Sequence, residues 1–69
     1  MTLQQVNSSN LAEVGYDSET QTLTIAFRKS GTYEFFDVPE SVYQELMSAG
    51  SHGEYFARSI RGRYRYAKS

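Results

Sequence analysis

The sequence predicts an α+β domain in which a three-stranded antiparallel meander is followed by two short helices packed on one face of the sheet. Two observations lead to this prediction. Apolar and polar residues alternate over three consecutive segments of the first half, and the apolar spacing becomes helical after Pro39. The length of 69 residues admits one small domain, so residues 1–69 are treated as a single unit with an ordered core over about residues 6–66.

The three predicted strands lie between short polar turns. The first runs from Leu11 to Tyr16, and the second, from Thr22 to Phe27, shows the strongest alternation in the chain. The third runs from Thr32 to Phe36 after a hairpin turn in which Gly31 supplies a positive φ. The residues that share a face within each strand are Ala12, Val14 and Tyr16, then Leu23, Ile25 and Phe27, then Tyr33 and Phe35.

Two helices are predicted after the strands. Pro39 suits the first position of the first helix, and Gly50 is expected to end that helix in the left-handed conformation. Ser51 and Glu54 have the spacing of a capping box, so a second helix is expected to begin there and to end near Gly62. The apolar stripes of the two helices are Val42, Tyr43, Leu46 and Met47, and Tyr55, Phe56, Ser59 and Ile60.

The aromatic residues are expected to build most of the core. Six Tyr and four Phe supply ten large rings, and the absence of cysteine removes disulfides as an alternative source of stability. Ordering a chain costs about 1.5 kcal/mol per residue, which only extensive apolar burial can offset. The sequence therefore favours a buried role over a ligand-binding role for most of these rings.

The residues needed for most enzyme chemistry are missing from the sequence. His52 is the only histidine, no cysteine is present, and no serine lies in a G-x-S-x-G motif. Phosphate-binding loops of the G-x-x-x-x-G-K-[ST] and G-x-G-x-x-G types are also missing. We therefore expect neither an enzyme nor a metal or cofactor site, and we expect His52 to be a solvent-exposed loop residue.

A membrane partner is not expected either. No apolar run approaches the roughly 20 residues needed to cross a bilayer, and the polar start of the chain lacks the pattern of a signal peptide. These features predict a cytoplasmic location.

The C-terminal segment is the main candidate binding surface. Residues 58–69 carry five basic side chains and no acidic one, whereas residues 1–57 carry two basic residues and all eight acidic residues. Arginine pairs with phosphates and tyrosine stacks on bases. The candidate nucleic-acid-binding residues are Arg58, Arg61, Arg63, Tyr64, Arg65 and Tyr66.

The sequence does not decide the conformation of this segment, because residues 63–69 are compatible with a short strand or a tail. If the second helix continues, Arg58, Arg61 and Arg65 share one face. If residues 63–67 form a strand, the two tyrosines bury and the neighbouring arginines face solvent. In a purely structural interpretation, the basic segment is an amphipathic closing element that folds onto the acidic body of the domain.

Two further motifs admit a binding interpretation. Gly50-Ser51-His52-Gly53 is a G-x-x-G sequence like the backbone clamp of KH domains, although helix capping explains the same residues. Tyr33 and Phe35 could stack bases on an open sheet as in an RRM, although burial under the helices is favoured by the need for a core.

The order of several short motifs resembles the KTSC domain family from about Val6 to Tyr64. These motifs are Val6-x-Ser8-Ser9, Val14-Gly15-Tyr16-Asp17, Leu23-x-Ile25-x-Phe27, Gly31-x-Tyr33-x-Phe35-x-Asp37-Val38-Pro39, Ser51-x-Gly53-x-Tyr55-Phe56 and Ile60-Arg61. The family is named for its occurrence at the C-terminus of some lysyl-tRNA synthetases, and it also includes small free-standing bacterial proteins. Its function is unknown, and RNA binding has been suggested.

The resemblance places the central Tyr-x-Tyr motif of the family on Tyr33-Glu34-Phe35, with Phe in place of the second Tyr. If this second ring lies in the core, Phe serves equally well; if its hydroxyl contacts a ligand, that contact is lost here. The missing catalytic motifs, the basic C-terminal segment and the resemblance together lead us to expect a small non-enzymatic binding module whose partner is RNA, either tRNA or a single strand. The alternative is a protein-interaction or self-association domain that uses a strand edge or an apolar patch, and the oligomeric state stays open.

Overall fold

A computed structural model describes residues 3–69 as one five-stranded antiparallel sheet with two helices on one face, which confirms the α+β prediction. Met1 and Thr2, at the polar start, lie outside the described residues. The order of strands across the sheet follows the chain. The elements are β1 (Gln4–Gln5), β2 (Leu11–Asp17), β3 (Thr22–Phe27), β4 (Gly31–Phe35), α1 (Glu40–Ser48), α2 (His52–Ser59) and β5 (Tyr66–Lys68).

The sheet is wider than the predicted three-stranded meander because a short strand is added at each edge. β1 pairs with β2, and its two polar residues show no alternation that could predict a strand. β5 returns after the helices and pairs with β4, so that Tyr66 lies opposite Phe35 and Lys68 lies opposite Tyr33. The strand alternative for the C-terminal segment is therefore confirmed, over residues 66–68 rather than 63–67.

A β-bulge in β2 changes which residues reach the core. The register shifts between the pair Leu11 and Phe27 and the pair Glu13 and Ala26. Strict alternation would place Leu11 and Val14 on opposite faces of the strand, yet both are fully buried. The bulge therefore adds Leu11 to the apolar face of the sheet.

The fully buried core is mainly aliphatic, which corrects the expectation that aromatic rings build most of it. Its residues are Leu11, Val14, Leu23, Ile25, Phe35, Val38, Leu46 and Ile60. The half-buried rings packed around it are Tyr16, Phe27, Tyr33, Tyr43, Tyr55, Phe56 and Tyr64. These rings border the core and keep one side in contact with solvent.

The boundaries of α1 differ from the prediction at both ends. Pro39 has an extended ψ of 150° and precedes the helix as its N-cap instead of occupying the first helical position. Gly50 is not among the glycines with positive φ in the described chain, because extended Ala49 already ends the helix. The prediction of a left-handed Gly50 is therefore wrong.

Helix α2 begins as the sequence predicts. The Ser51 side chain accepts a hydrogen bond from the backbone N–H of Glu54 at 3.3 Å, which confirms the helix cap. The helix ends at Ser59, three residues before Gly62, which lies in the following turn with φ +81°. Gly31 has the positive φ predicted for the hairpin turn, +95°. Within residues 3–69, neither helix has the length and apolar composition needed to span a membrane.

Candidate functional site

An open groove of about 460 Å³ lies between α2, the β3–β4 hairpin and β5. Its floor is aromatic and is formed by Phe27, Tyr33, Phe35, Phe56 and Tyr66. Its edges carry three basic residues, Arg28, Lys29 and Arg61. We call these eight residues the aromatic groove.

The pairing register of the sheet brings the floor residues together. Tyr33 and Phe35 alternate along β4 and therefore point to the same face. Tyr66 lies directly opposite Phe35 on β5. From α2, the Phe56 ring packs edge-on against the rings of Phe27 and Phe35, with centroid distances of 5.1 and 5.5 Å. Phe56 thus closes one side of the groove, where Gly53 and Ala57 of α2 also line it.

The rings of the floor differ in exposure, and the ring on β5 is the most exposed. Phe35 is 4% exposed, Tyr33 is half-buried, and Tyr66 is 61% exposed. The Tyr66 ring contacts the other two rings, with centroids 5.8 Å from Phe35 and 5.7 Å from Tyr33. Phe35 occupies the position of the second Tyr in the Tyr-x-Tyr motif. Because its ring is buried in the core, Phe fills the same packing role there as Tyr.

The basic edge residues come from separate parts of the chain. Arg28 Nε donates a hydrogen bond to the backbone carbonyl of Ser8 at 2.8 Å, which uses one of the five N–H donors of its guanidinium group. Lys29 follows Arg28 in the hairpin turn, and Arg61 lies in the turn after α2. Among residues 3–69, none of these three cations forms an ion pair.

The acidic residues lie outside the groove. None of the lining residues, all of which belong to the described part of the chain, is Asp or Glu. Glu13 pairs with Ala26 and Glu34 pairs with Thr24, so both glutamates belong to the face of the sheet that the helices do not cover. The positive potential of the groove is therefore not cancelled by a neighbouring carboxylate within it.

The structure brings two of the six predicted binding residues, Arg61 and Tyr66, into the groove. Tyr64 is half-buried and packs against the core. Arg65 forms an ion pair with Asp37 at 3.1 Å. Arg58 and Arg63 are exposed and do not line the groove.

Neither predicted conformation of the basic segment describes it fully. Because α2 ends at Ser59, Arg58, Arg61 and Arg65 do not share a helical face. Tyr66 lies in a strand but is exposed instead of buried, and all three residues of β5 are exposed. Arg28, Lys29 and Phe56 were not predicted as site residues. The sequence places Arg28 and Lys29 in a hairpin turn, but it gives no signal that they border the groove, because that depends on where β5 joins the sheet.

His52 is not the exposed loop residue that the sequence predicts. It is the first residue of α2 and is half-buried. Its Nδ1 lies 2.8 Å from the backbone carbonyl oxygen of Leu46, so the imidazole ring links the two helices. Together with the Ser51 cap, this contact gives the G-x-x-G sequence a structural role at the helix junction. Residues 3–69 contain no cluster of three or more His, Cys, Asp or Glu side chains able to hold a metal ion.

Comparison with known proteins identifies the fold. The model of the KTSC domain family matches residues 7–64. The chain belongs to the KTSC domain family. A crystal structure of a KTSC domain protein from Yersinia pestis superimposes with a TM-score of 0.98, at 40% identity, over 99% of this chain and 96% of that protein.

KTSC relatives include both large and small proteins. The lysine–tRNA ligase of Trichormus variabilis is 45% identical over 58 residues, which make up 84% of this chain and 10% of the ligase. A protein of Tsukamurella paurometabola is 33% identical over 63 residues, covering 91% of this chain and 94% of that relative. The chain thus spans about a tenth of the ligase, and family membership defines its fold without naming a ligand or a reaction.

Proposed function

We propose that this KTSC domain is a non-enzymatic RNA-binding module that holds RNA phosphates at the basic edges of the aromatic groove. The observation that carries the proposal is the charge of the groove. Arg28, Lys29 and Arg61 surround it, and no carboxylate lines it among the described residues. Arginine and lysine at such an edge are the side chains that bind nucleic-acid phosphates.

Local charge, not overall charge, supports this proposal. The chain as a whole has a formal net charge of −1, so the molecule does not attract a polyanion uniformly. Three of the seven basic residues line one groove, and no acidic residue lines it among the described residues. Such local segregation of charge steers a polyanion to one surface. The two sides of the groove contribute cations from segments more than 30 residues apart in sequence, Arg28 and Lys29 on one side and Arg61 on the other.

The relatives support RNA as the nucleic acid. Lysine–tRNA ligases carry a region that is 45% identical to this chain in one case, and these enzymes are named for tRNA. We propose that this domain acts on RNA in the cytoplasm.

The composition of the groove supports a binding role over a catalytic one. Its lining residues, all among the described ones, include no carboxylate and no histidine, which are the usual general acids and bases of enzymes. The three cations and five rings instead supply charge and apolar surface, which are the properties that a nucleic-acid-binding surface uses.

The experiment that tests the proposal compares Arg61→Ala with Arg63→Ala. Both residues are exposed arginines of the same turn, but only Arg61 lines the groove. We expect fluorescence anisotropy with a labelled single-stranded RNA to show weaker binding for Arg61→Ala. The slope of log affinity against log salt should become shallower by about 0.7, the value for one lost phosphate contact on a single strand.

The Arg63→Ala control removes the same charge without touching the groove. Equal losses in the two variants would mean that RNA responds only to the net charge of the turn. Salt-independent binding, or no binding at low salt, would refute the proposal.

Self-association through β5 is a second candidate function. β5 is the terminal strand of the sheet, and its three residues are all exposed. The outer edge of such a strand offers backbone groups that can pair with another chain. A molecular mass that rises with concentration in light scattering, together with the absence of RNA binding, would favour this candidate.

A further inference from the structure

We infer that the aromatic groove takes unpaired nucleobases, with Tyr66 as the stacking platform, so that its ligands are single-stranded rather than duplex RNA. This inference rests on the proposed function. It deepens that function because the basic edges attract any phosphate chain, whereas the rings select chains whose bases are unpaired.

The exposure of Tyr66 is the first step of the argument. Among residues 3–69, the large hydrophobic side chains exposed to solvent are Tyr66 and Leu3, and Tyr66 is 61% exposed. The other Tyr and Phe rings are buried or half-buried. An aromatic surface left open at a basic groove is of the kind on which a base stacks.

The support beneath Tyr66 is the second step. Its ring contacts Phe35 and Tyr33, with centroid distances of 5.8 and 5.7 Å. Phe35 is itself held by Phe56 of α2 at 5.5 Å. Tyr66 is therefore braced by the core from within and open to solvent outside, which limits the ordering entropy lost when a base stacks on it.

The position of the cations relative to the platform is the third step. Arg61 and Tyr66 line the same groove, so one nucleotide can place its base on the ring and its phosphate near the guanidinium group. Lys68 lies on the same face of β5 as Tyr66, and its ammonium group is 5.9 Å from the Tyr33 ring centroid. A second cation therefore lies on the face of β5 that carries the platform.

The geometry of RNA gives the fourth step. In an A-form duplex the bases are stacked on one another and their faces are inaccessible, whereas the bases of single strands can be splayed out onto aromatic side chains. A ring at the floor of a groove of about 460 Å³ can meet a base face only when that base is unpaired. Single strands, loops and ends are therefore the ligand class that the floor fits.

The test uses three RNA probes of equal phosphate number: a single-stranded 12-mer, a blunt-ended duplex without a loop and a 12-mer that lacks bases. Each probe is measured by anisotropy with the wild type, Tyr66→Leu and Tyr66→Phe. We expect Tyr66→Leu to lose about 5- to 150-fold in affinity for the 12-mer that carries bases, the range reported for one stacked base. Tyr66→Phe should retain that affinity, and neither substitution should change binding of the baseless probe.

The outcomes separate this inference from the proposed function. If the wild type binds all three probes with equal affinity and only Arg61→Ala loses affinity, the base-stacking inference is refuted and the phosphate-binding proposal stands. Binding of none of the probes overturns both. If Tyr66→Leu fails to fold, the wild-type ratio between the single strand and the baseless probe decides, and a ratio near one refutes the inference. A concentration-dependent mass that Tyr66→Leu abolishes, without RNA binding, assigns the exposed ring to self-association instead.

Discussion

Truncation of Ile60 tests whether the end of α2 is as tightly packed as the structure shows. Ile60 is fully buried in the core. Its backbone N–H donates to the Phe56 carbonyl at 3.0 Å, and its own carbonyl accepts from the Arg63 N–H at 3.0 Å. The residue therefore joins the core, the last turn of α2 and the turn that carries Arg61.

The size of the effect follows from the number of carbons removed. Ile60→Val removes one buried methylene and should lower the free energy of unfolding by about 0.5–1.5 kcal/mol, whereas Ile60→Ala removes three carbons and should lower it by about 2–5 kcal/mol. A domain of this length has a total stability on the order of 3–10 kcal/mol, so the alanine variant loses a large share of it.

Urea unfolding followed by far-UV circular dichroism measures these differences, with Arg63→Ala as a control at an exposed site nearby. We expect the control to stay within about 0.5 kcal/mol of the wild type. An Ile60→Ala protein whose stability matches that of the control would show that Ile60 does not fill a close-packed site, and the reasoning would be refuted.

Two further predictions concern a glycine and a tyrosine. Gly31→Ala should lower the free energy of unfolding by about 1–2 kcal/mol, because φ is +95° and the new Cβ would lie 3.3 Å from Lys68 Cε. In the control Gly50→Ala, the new Cβ meets no atom within 4 Å. Equal melting temperatures for the two variants would contradict this prediction. Burial and the hydrogen bond to Glu45 raise the pKa of Tyr55 above 10.0. The folded state then holds the phenolic proton more tightly than the unfolded state, so this stabilisation is complete below the unfolded pKa and is lost as pH rises through the folded one. Urea midpoints at about pH 9 and about pH 11 should therefore fall further in the wild type than in Tyr55→Phe, and equal falls would refute the assignment.

The elements that the sequence predicts well depend on local interactions. The alternation of Leu23, Ile25 and Phe27 identifies β3, and the spacing of Ser51 and Glu54 identifies the start of α2. The conformation of such residues depends on neighbours only a few positions away, so the local sequence is enough to predict it. Gly50 shows the limit of such reasoning, because a glycine at a helix end is compatible with several backbone conformations and extended Ala49 ends α1 before it.

The candidate site was predictable only in part. The density of arginine and tyrosine after residue 57 singles out Arg61 and Tyr66 from the sequence alone. The same density also singles out Arg65, which the fold pairs with Asp37, and Tyr64, which packs against the core. Composition thus locates a basic segment but cannot distinguish the residues that face the groove from those that hold the segment in place.

The sequence by itself determined the α+β class, β2–β4, the two helices and the charge imbalance between the body of the chain and its C-terminal end, because each follows from periodicity, turn residues or composition. Only the tertiary structure decided that β5 pairs with β4 beside the hairpin that carries Arg28 and Lys29. That pairing joins residues more than 30 positions apart. Its geometry depends on where the chain emerges after α2, which no local pattern encodes. The pairing also makes Tyr66 the most exposed ring of the aromatic floor.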